Sequence, residues 1–139
     1  IKVGAPTEAE MIEKRHRIED ALEAVKAAQQ EGIVPGGGVA LVRALPKKAG
    51  STAEQIVYEA VKEPIRQMAR NSGESPDLIL EQVQKAKGSR GYNFATGKMG
   101  DLLEEGVIDP VKVTITALTM AASAAGTLLT TGYAIIEGE

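Results

Sequence analysis

The chain has no cysteine and no tryptophan, one histidine, one phenylalanine and three tyrosines. Without cysteine there is no disulfide and no thiolate zinc site, and nothing that depends on an oxidising compartment, which fits a cytoplasmic or equivalent organellar protein. With no cysteine and a single histidine, no Ser/His/Asp or Cys/His constellation can be assembled. His16 lacks a second histidine to converge with, so it reads as a solvated side chain and no metal site is expected. Aromatic residues make up 3% of the chain, too few for base-stacking platforms, and a net charge of −3 gives no electrostatic case for nucleic acid. The opening IKVGAPTEAEM has no basic segment followed by an apolar one, so no signal peptide is visible. The lack of an initiator methionine points to a fragment.

What is present suits one domain of ordinary size: 139 residues, 43% of them hydrophobic. The longest uncharged run, Val113 to Ile136, is 24 residues. Its length qualifies it as a membrane span, but six threonines, one serine and two glycines interrupt its apolarity. Its end, TTGYAIIE, reads as a strand. What remains is a helix near Pro110 to Leu129, apolar nearly all round and expected as the buried centre of a soluble domain, with no membrane partner.

Caps and breakers organise the rest. Thr7 with Glu10 opens a helix running to about Gln30, with Gly32 as its stop. Met11, Ile18, Leu22 and Val25 form its apolar stripe, and Glu13, His16, Asp20 and Glu23 its wet side. A second helix runs to about Leu45, before Pro46. Ser51 with Glu54 opens a third to about Arg70, kinked or interrupted at Pro64. Ser75 and Pro76 open a fourth to about Ala86. GSRGYNFATG is a turn and short strand, a brief helix covers Lys98 to Glu105, and Asp109 is the N-cap of the long helix.

Three consecutive glycines in VPGGGVAL, residues 34–41, are costly in chain entropy. They are either a plain connector or a place where a ligand approaches the backbone, as at a nucleotide site. The common phosphate fingerprints fail. G-x-G-x-x-G would need glycine where Leu41 stands, and GYNFATGKM has the wrong spacing and Met99 after the lysine for a phosphate loop. On pattern alone Asp20 is one more charge on a solvated face.

The order of the motifs is more specific than any one of them. EMIEKRHRIEDALEAVKAAQQEGIVPGGGVAL, then GYNFATGKMGDLLEEGVIDPVKVT, then AASAAGTLLTT resembles, over nearly the whole chain, the C-terminal part of GroEL-type group I chaperonins. The resemblance implies a mainly α fold with a few short strands. Residues 1–31 would be the returning part of the intermediate, or hinge, domain, and residues 32–139 the C-terminal half of the equatorial ATP-binding domain. It implies an ATP-dependent folding machine with other subunits in a ring, and with non-native clients and a co-chaperonin bound through an apical domain that these residues lack. It assigns Gly37 to the ribose side of ATP, Asn93 with the backbone of Phe94 and Ala95 to the adenine, and Asp109 to the ribose hydroxyls. Asp20 becomes the acid that orients the attacking water. Phe94 and Gly132 depart from the family pattern, which has a small and an acidic residue there. The phosphate-gripping loop and the Mg2+ ligand would belong to the other half, so the isolated fragment is expected to be inactive as an ATPase. The alternative is a non-enzymatic helical scaffold or interaction domain of chaperonin ancestry.

Overall fold

Thr7 and Ser51 begin their helices as the sequence predicts: each hydroxyl accepts from the backbone N–H three residues on, at 3.3 Å. The computed structural model describes residues 2–46, 49–133 and 135. Along the chain run α1 (Glu8–Glu31), β1 (Ile33–Pro35), α2 (Val39–Ala44), α3 (Thr52–Asn71), α4 (Pro76–Lys85), β2 (Arg90–Asn93), β3 (Lys98–Asp101), β4 (Ile108–Pro110) and α5 (Val111–Thr130). The fold is mainly α, as expected. The strands form two antiparallel pairs, β1 with β4 and β2 with β3.

The core lies between α2, α3, α4 and the β2–β3 hairpin. Val39 and Val42, Ile65 and Ala69, and Ile79, Leu80 and Val83 come together there with Tyr92 and Leu102. Ile65 and Leu102 are at most 1% exposed, and burying a side chain of that size contributes about 1.5–3 kcal/mol. Arg43 of α2 ties the edge of this unit by donating to the carbonyls of Ala86 and Arg90. Pro64 neither interrupts α3 nor disturbs its packing, since Val61, Ile65 and Ala69 on either side of it are all buried.

Several further expectations are corrected. The brief helix at Lys98–Glu105 is instead strand β3 followed by a turn. Gly97 at φ +68° lets the chain return after a four-residue loop, and Asn93 pairs with Lys98 while Arg90 pairs with Asp101. Asp109 does not cap α5: it lies in β4 opposite Val34, and the helix starts from Pro110 with no side-chain cap. The first N–H of α5, that of Val111, donates instead to the carbonyl of Gly32 at 3.1 Å, because the β1–β4 pairing brings the end of α1 to the start of α5.

Two more corrections concern apolar faces. The stripe on α1 is not packed: Met11, Leu22 and Val25 are 40–55% exposed, and α1 has no buried residue. The α1–α5 cleft is lined instead by Ala24, Ala27 and Gln30, facing Pro110, Val113 and Ala117. The long helix α5 is not a buried centre either. It is long and apolar enough to cross a membrane, at mean hydropathy 1.5, yet none of that window is buried. α1 and β4 flank it on one side and α2 borders a small apolar groove, and among the described residues nothing covers the rest. Thr131 to Tyr133 are irregular rather than a strand, and most of the remaining strand expectation lies outside the described residues.

Candidate functional site

The glycine run makes the tight connection from β1 into α2. Gly36 donates its N–H to the Val107 carbonyl at 2.9 Å, and its carbonyl accepts from Val39 at 3.2 Å. Gly37 and Gly38 then take φ of +64° and +74°, a region that side chains disfavour. Space is also short. A Cβ on Gly36 would meet the Val107 carbonyl oxygen at 3.2 Å, and one on Gly38 would meet Ile65 of α3 at 3.2 Å. One on Gly37 would point toward the carbonyl oxygen of Tyr92 at 3.6 Å. The loop thus lies against α3, against the end of β2 and against the residue just before β4.

Those contacts join three segments far apart in sequence. Gly37, Asn93, Phe94 and Ala95 are brought to one end of the core. Asp109, half-buried, stands opposite Val34 in the strand that begins one residue after the Gly36 partner Val107. Asn93 is the one buried polar residue among those described, at 7% exposure. Its Oδ1 accepts from the Ala95 N–H at 3.0 Å, its Nδ2 donates to Glu105 Oε2 at 2.6 Å, and its carbonyl accepts from Thr96 and Gly97. Phe94 stacks edge-on against Tyr92, with ring centroids 5.0 Å apart, and packs against the core. The Tyr92 hydroxyl donates to Glu74 at 3.0 Å, and burial together with that carboxylate pushes its pKa up.

The turn after β3 is held by Asp101. Its carboxylate accepts from the Ser89 hydroxyl and from the backbone N–H groups of Leu103 and Glu104. The Ser89 hydrogen bond, then the Glu104 N–H, with further help from the Leu103 N–H and the Arg90 charge, holds the Asp101 carboxyl below its ordinary range. Sequence reading missed Ser89, Asp101 and Glu105. Their partners are 12 residues away across a hairpin whose second arm the sequence suggests as a helix, and the signal for the hairpin is the short loop with glycine between Asn93 and Lys98.

Asp20 is not with the others. It is exposed on α1, beside the α1–α5 cleft, 12 residues before Gly32. At the rise of an α-helix that is about 18 Å along the axis. Gly32 joins α1 to β1 at φ +85°, with nothing within 4 Å of where a Cβ would stand.

Across residues 1–139 the sequence matches the TCP-1/cpn60 chaperonin family. The chain belongs to that family. Its function is therefore chaperonin-related, and chaperonins in general are ATPases that assist protein folding and assemble as oligomeric rings. In this chaperonin chain the segments assigned by resemblance to the sugar and base of ATP meet at one end of the core, while the acid assigned to hydrolysis stands apart on a helix joined through a glycine.

Proposed function

We propose that the chain supplies the sugar-and-base side of the nucleotide pocket, and the water-orienting acid, of a group I, GroEL-type ATP-dependent chaperonin. The observation that carries this reading is the convergence of the Gly36–Gly38 loop, the Asn93–Ala95 turn and the strand holding Asp109. Gly37 would lie at the ribose, Asn93 and the backbone of Phe94 and Ala95 at the adenine, and Asp109 at the ribose hydroxyls. Phe94 is engaged with Tyr92 and the core, which leaves its backbone rather than its ring for the base.

The triphosphate is a different matter. It needs a cradle of N–H groups and a metal to neutralise charge, and among the described residues no cluster of three His, Cys, Asp or Glu could hold a metal ion. Magnesium would help neutralise the phosphates, and its ligands and the phosphate grip would come from residues other than these. By itself the chain would bind ATP poorly and not turn it over.

Residues 1–31 would serve as the hinge segment, pivoting at Gly32 to bring Asp20 over the phosphates. The role suits an exposed carboxylate on a helix with no buried residue of its own. In the intact subunit, Asp20→Ala is expected to leave ATP binding in place and slow single-turnover hydrolysis by about a hundredfold to ten-thousandfold. Near-normal hydrolysis by that variant would remove Asp20 from the mechanism. The packing of Gly36 and Gly38 against the chain's own backbone and α3 favours the second reading, a scaffold of chaperonin ancestry that binds no nucleotide. An intact subunit that fails to bind ATP would decide for it.

A further inference from the structure

Glu105 is exposed, yet its carboxylate is aimed inward at the one buried polar side chain described. Oε2 accepts from Asn93 Nδ2 at 2.6 Å. The neighbouring Gly100 makes this possible. A Cβ there would stand 1.7 Å from Glu105 Oε1, so the carboxylate occupies the space that any side chain at position 100 would take. Backbone bonds aim it: the Glu105 N–H donates to the Asp101 carbonyl at 2.9 Å, and Asp101 is itself held by Ser89.

The consequence concerns which way round the Asn93 amide sits. A carboxylate can only accept and a backbone N–H can only donate, so Glu105 takes the NH2 group and Ala95 takes the carbonyl oxygen. Turning the amide over would set oxygen against carboxylate and NH2 against N–H. The bond to the charged partner is the stronger of the two. Asn93 therefore offers its remaining donor hydrogen and acceptor lone pair in a fixed order.

We propose that Glu105 is a positioning residue that makes this site selective for adenine by locking the Asn93 amide in one orientation. The proposal rests on the reading that Asn93 faces the base. An asparagine amide can pair with the Watson–Crick edge of adenine, through the amino donor and the N1 acceptor. Hypoxanthine reverses both groups on that edge, with an oxygen acceptor in place of the amino group and an N1–H donor in place of the bare ring nitrogen. A locked amide matches the first edge and opposes the second, whereas an amide free to turn over accommodates both.

The test is a pair of nuclear magnetic resonance titrations of this chain at millimolar concentration, with adenosine and with inosine, following the Asn93 side-chain NH2 signals. Adenosine is expected to bind several-fold more tightly than inosine. Glu105→Ala should lower that ratio toward one, leaving only the Ala95 N–H to orient the amide, and so should Gly100→Ala, whose methyl displaces the carboxylate while Glu105 and Asn93 remain. Glu105→Gln fills the same space but can donate as well as accept, so it should lower the ratio too. A role confined to stability would change the unfolding midpoint without moving the ratio. If Glu105→Ala and Gly100→Ala keep the preference while Asn93→Ala loses it, Glu105 is not the positioning residue and the reading of Asn93 stands. If neither nucleoside shifts the Asn93 signals of the wild-type chain, the base-site reading falls and this proposal with it.

Discussion

The unit from the glycine loop to Val107 and the α1–α5 pair are built from sequence of similar apparent quality, yet only the first has a core. Every residue of the buried cluster lies between Val39 and Leu102. α5 is more apolar than the other long helices α1, α3 and α4, but its Val113, Ile115, Met120, Leu128 and Leu129 are 50–87% exposed. The difference is one of partners. α3 and α4 have amphipathic faces that meet each other and the hairpin, while α5 has α1 and β4 along one side and, near its start, only a small groove beside α2. Apolar sequence states what a helix will accept as a neighbour, and the neighbours present decide whether it is buried.

Truncating a side chain in each region breaks or confirms that contrast most directly. Leu102→Ala should cost about 2–5 kcal/mol, because Leu102 is fully buried and its removal leaves a cavity among packed neighbours. Leu129→Ala, at 87% exposure, should stay within about 0.5 kcal/mol. Urea unfolding of both variants is the measurement. Equal losses would mean that the two regions share one core.

Glycine substitutions sharpen the contrast at smaller scale and with opposite signs. Gly38→Ala must hold φ at +74° with its methyl 3.2 Å from Ile65, and should lose about 1–3 kcal/mol. Gly126→Ala lies in a helix with nothing within 4 Å of the new methyl, and should gain about 0.5–1 kcal/mol. Thermal unfolding followed by circular dichroism reads both, and destabilisation by Gly126→Ala would show that α5 is packed where it stands open here.

The smallest effect is on pH. The Asp101 carboxyl is held below its ordinary value by the Ser89 hydroxyl, then by the Glu104 N–H, the Leu103 N–H and the Arg90 charge. The folded state therefore favours the carboxylate. That contribution is present above the ordinary value of 3.8 and is lost as the pH falls through the lowered folded value. Urea midpoints between pH 7 and pH 2.5 should decline at the acid end for the wild type and decline less for Asp101→Asn. An unchanged acid limb would remove Asp101 from the clasp that holds the hairpin turn.

Local chemistry made much of the helical layout legible. Thr7, Ser51, Ser75 with Pro76, and Gly32 bound their helices because caps and stops act through a few adjacent residues. The hairpin was lost because its pairing joins residues up to 11 apart, and Lys98–Asp101 carries no periodicity that separates strand from helix. Asp109 was read as a cap for a similar reason, since a carboxylate before Pro110 looks the same whether it ends a strand or starts a helix.

The sequence by itself determined where α1, α3 and α4 begin and end, that the fold is mainly α, and, through the order of its motifs, that the chain belongs to the chaperonins. Those properties reside in neighbouring residues or in linear order. Tertiary structure alone decided that Gly36 and Gly38 are needed against Val107 and Ile65, that Glu105 reaches Asn93, and that α5 stands open while Ile65 and Leu102 are enclosed. Each of these depends on which distant segment arrives alongside, because close packing and hydrogen bonding act over a few ångströms of space, however many residues separate the partners.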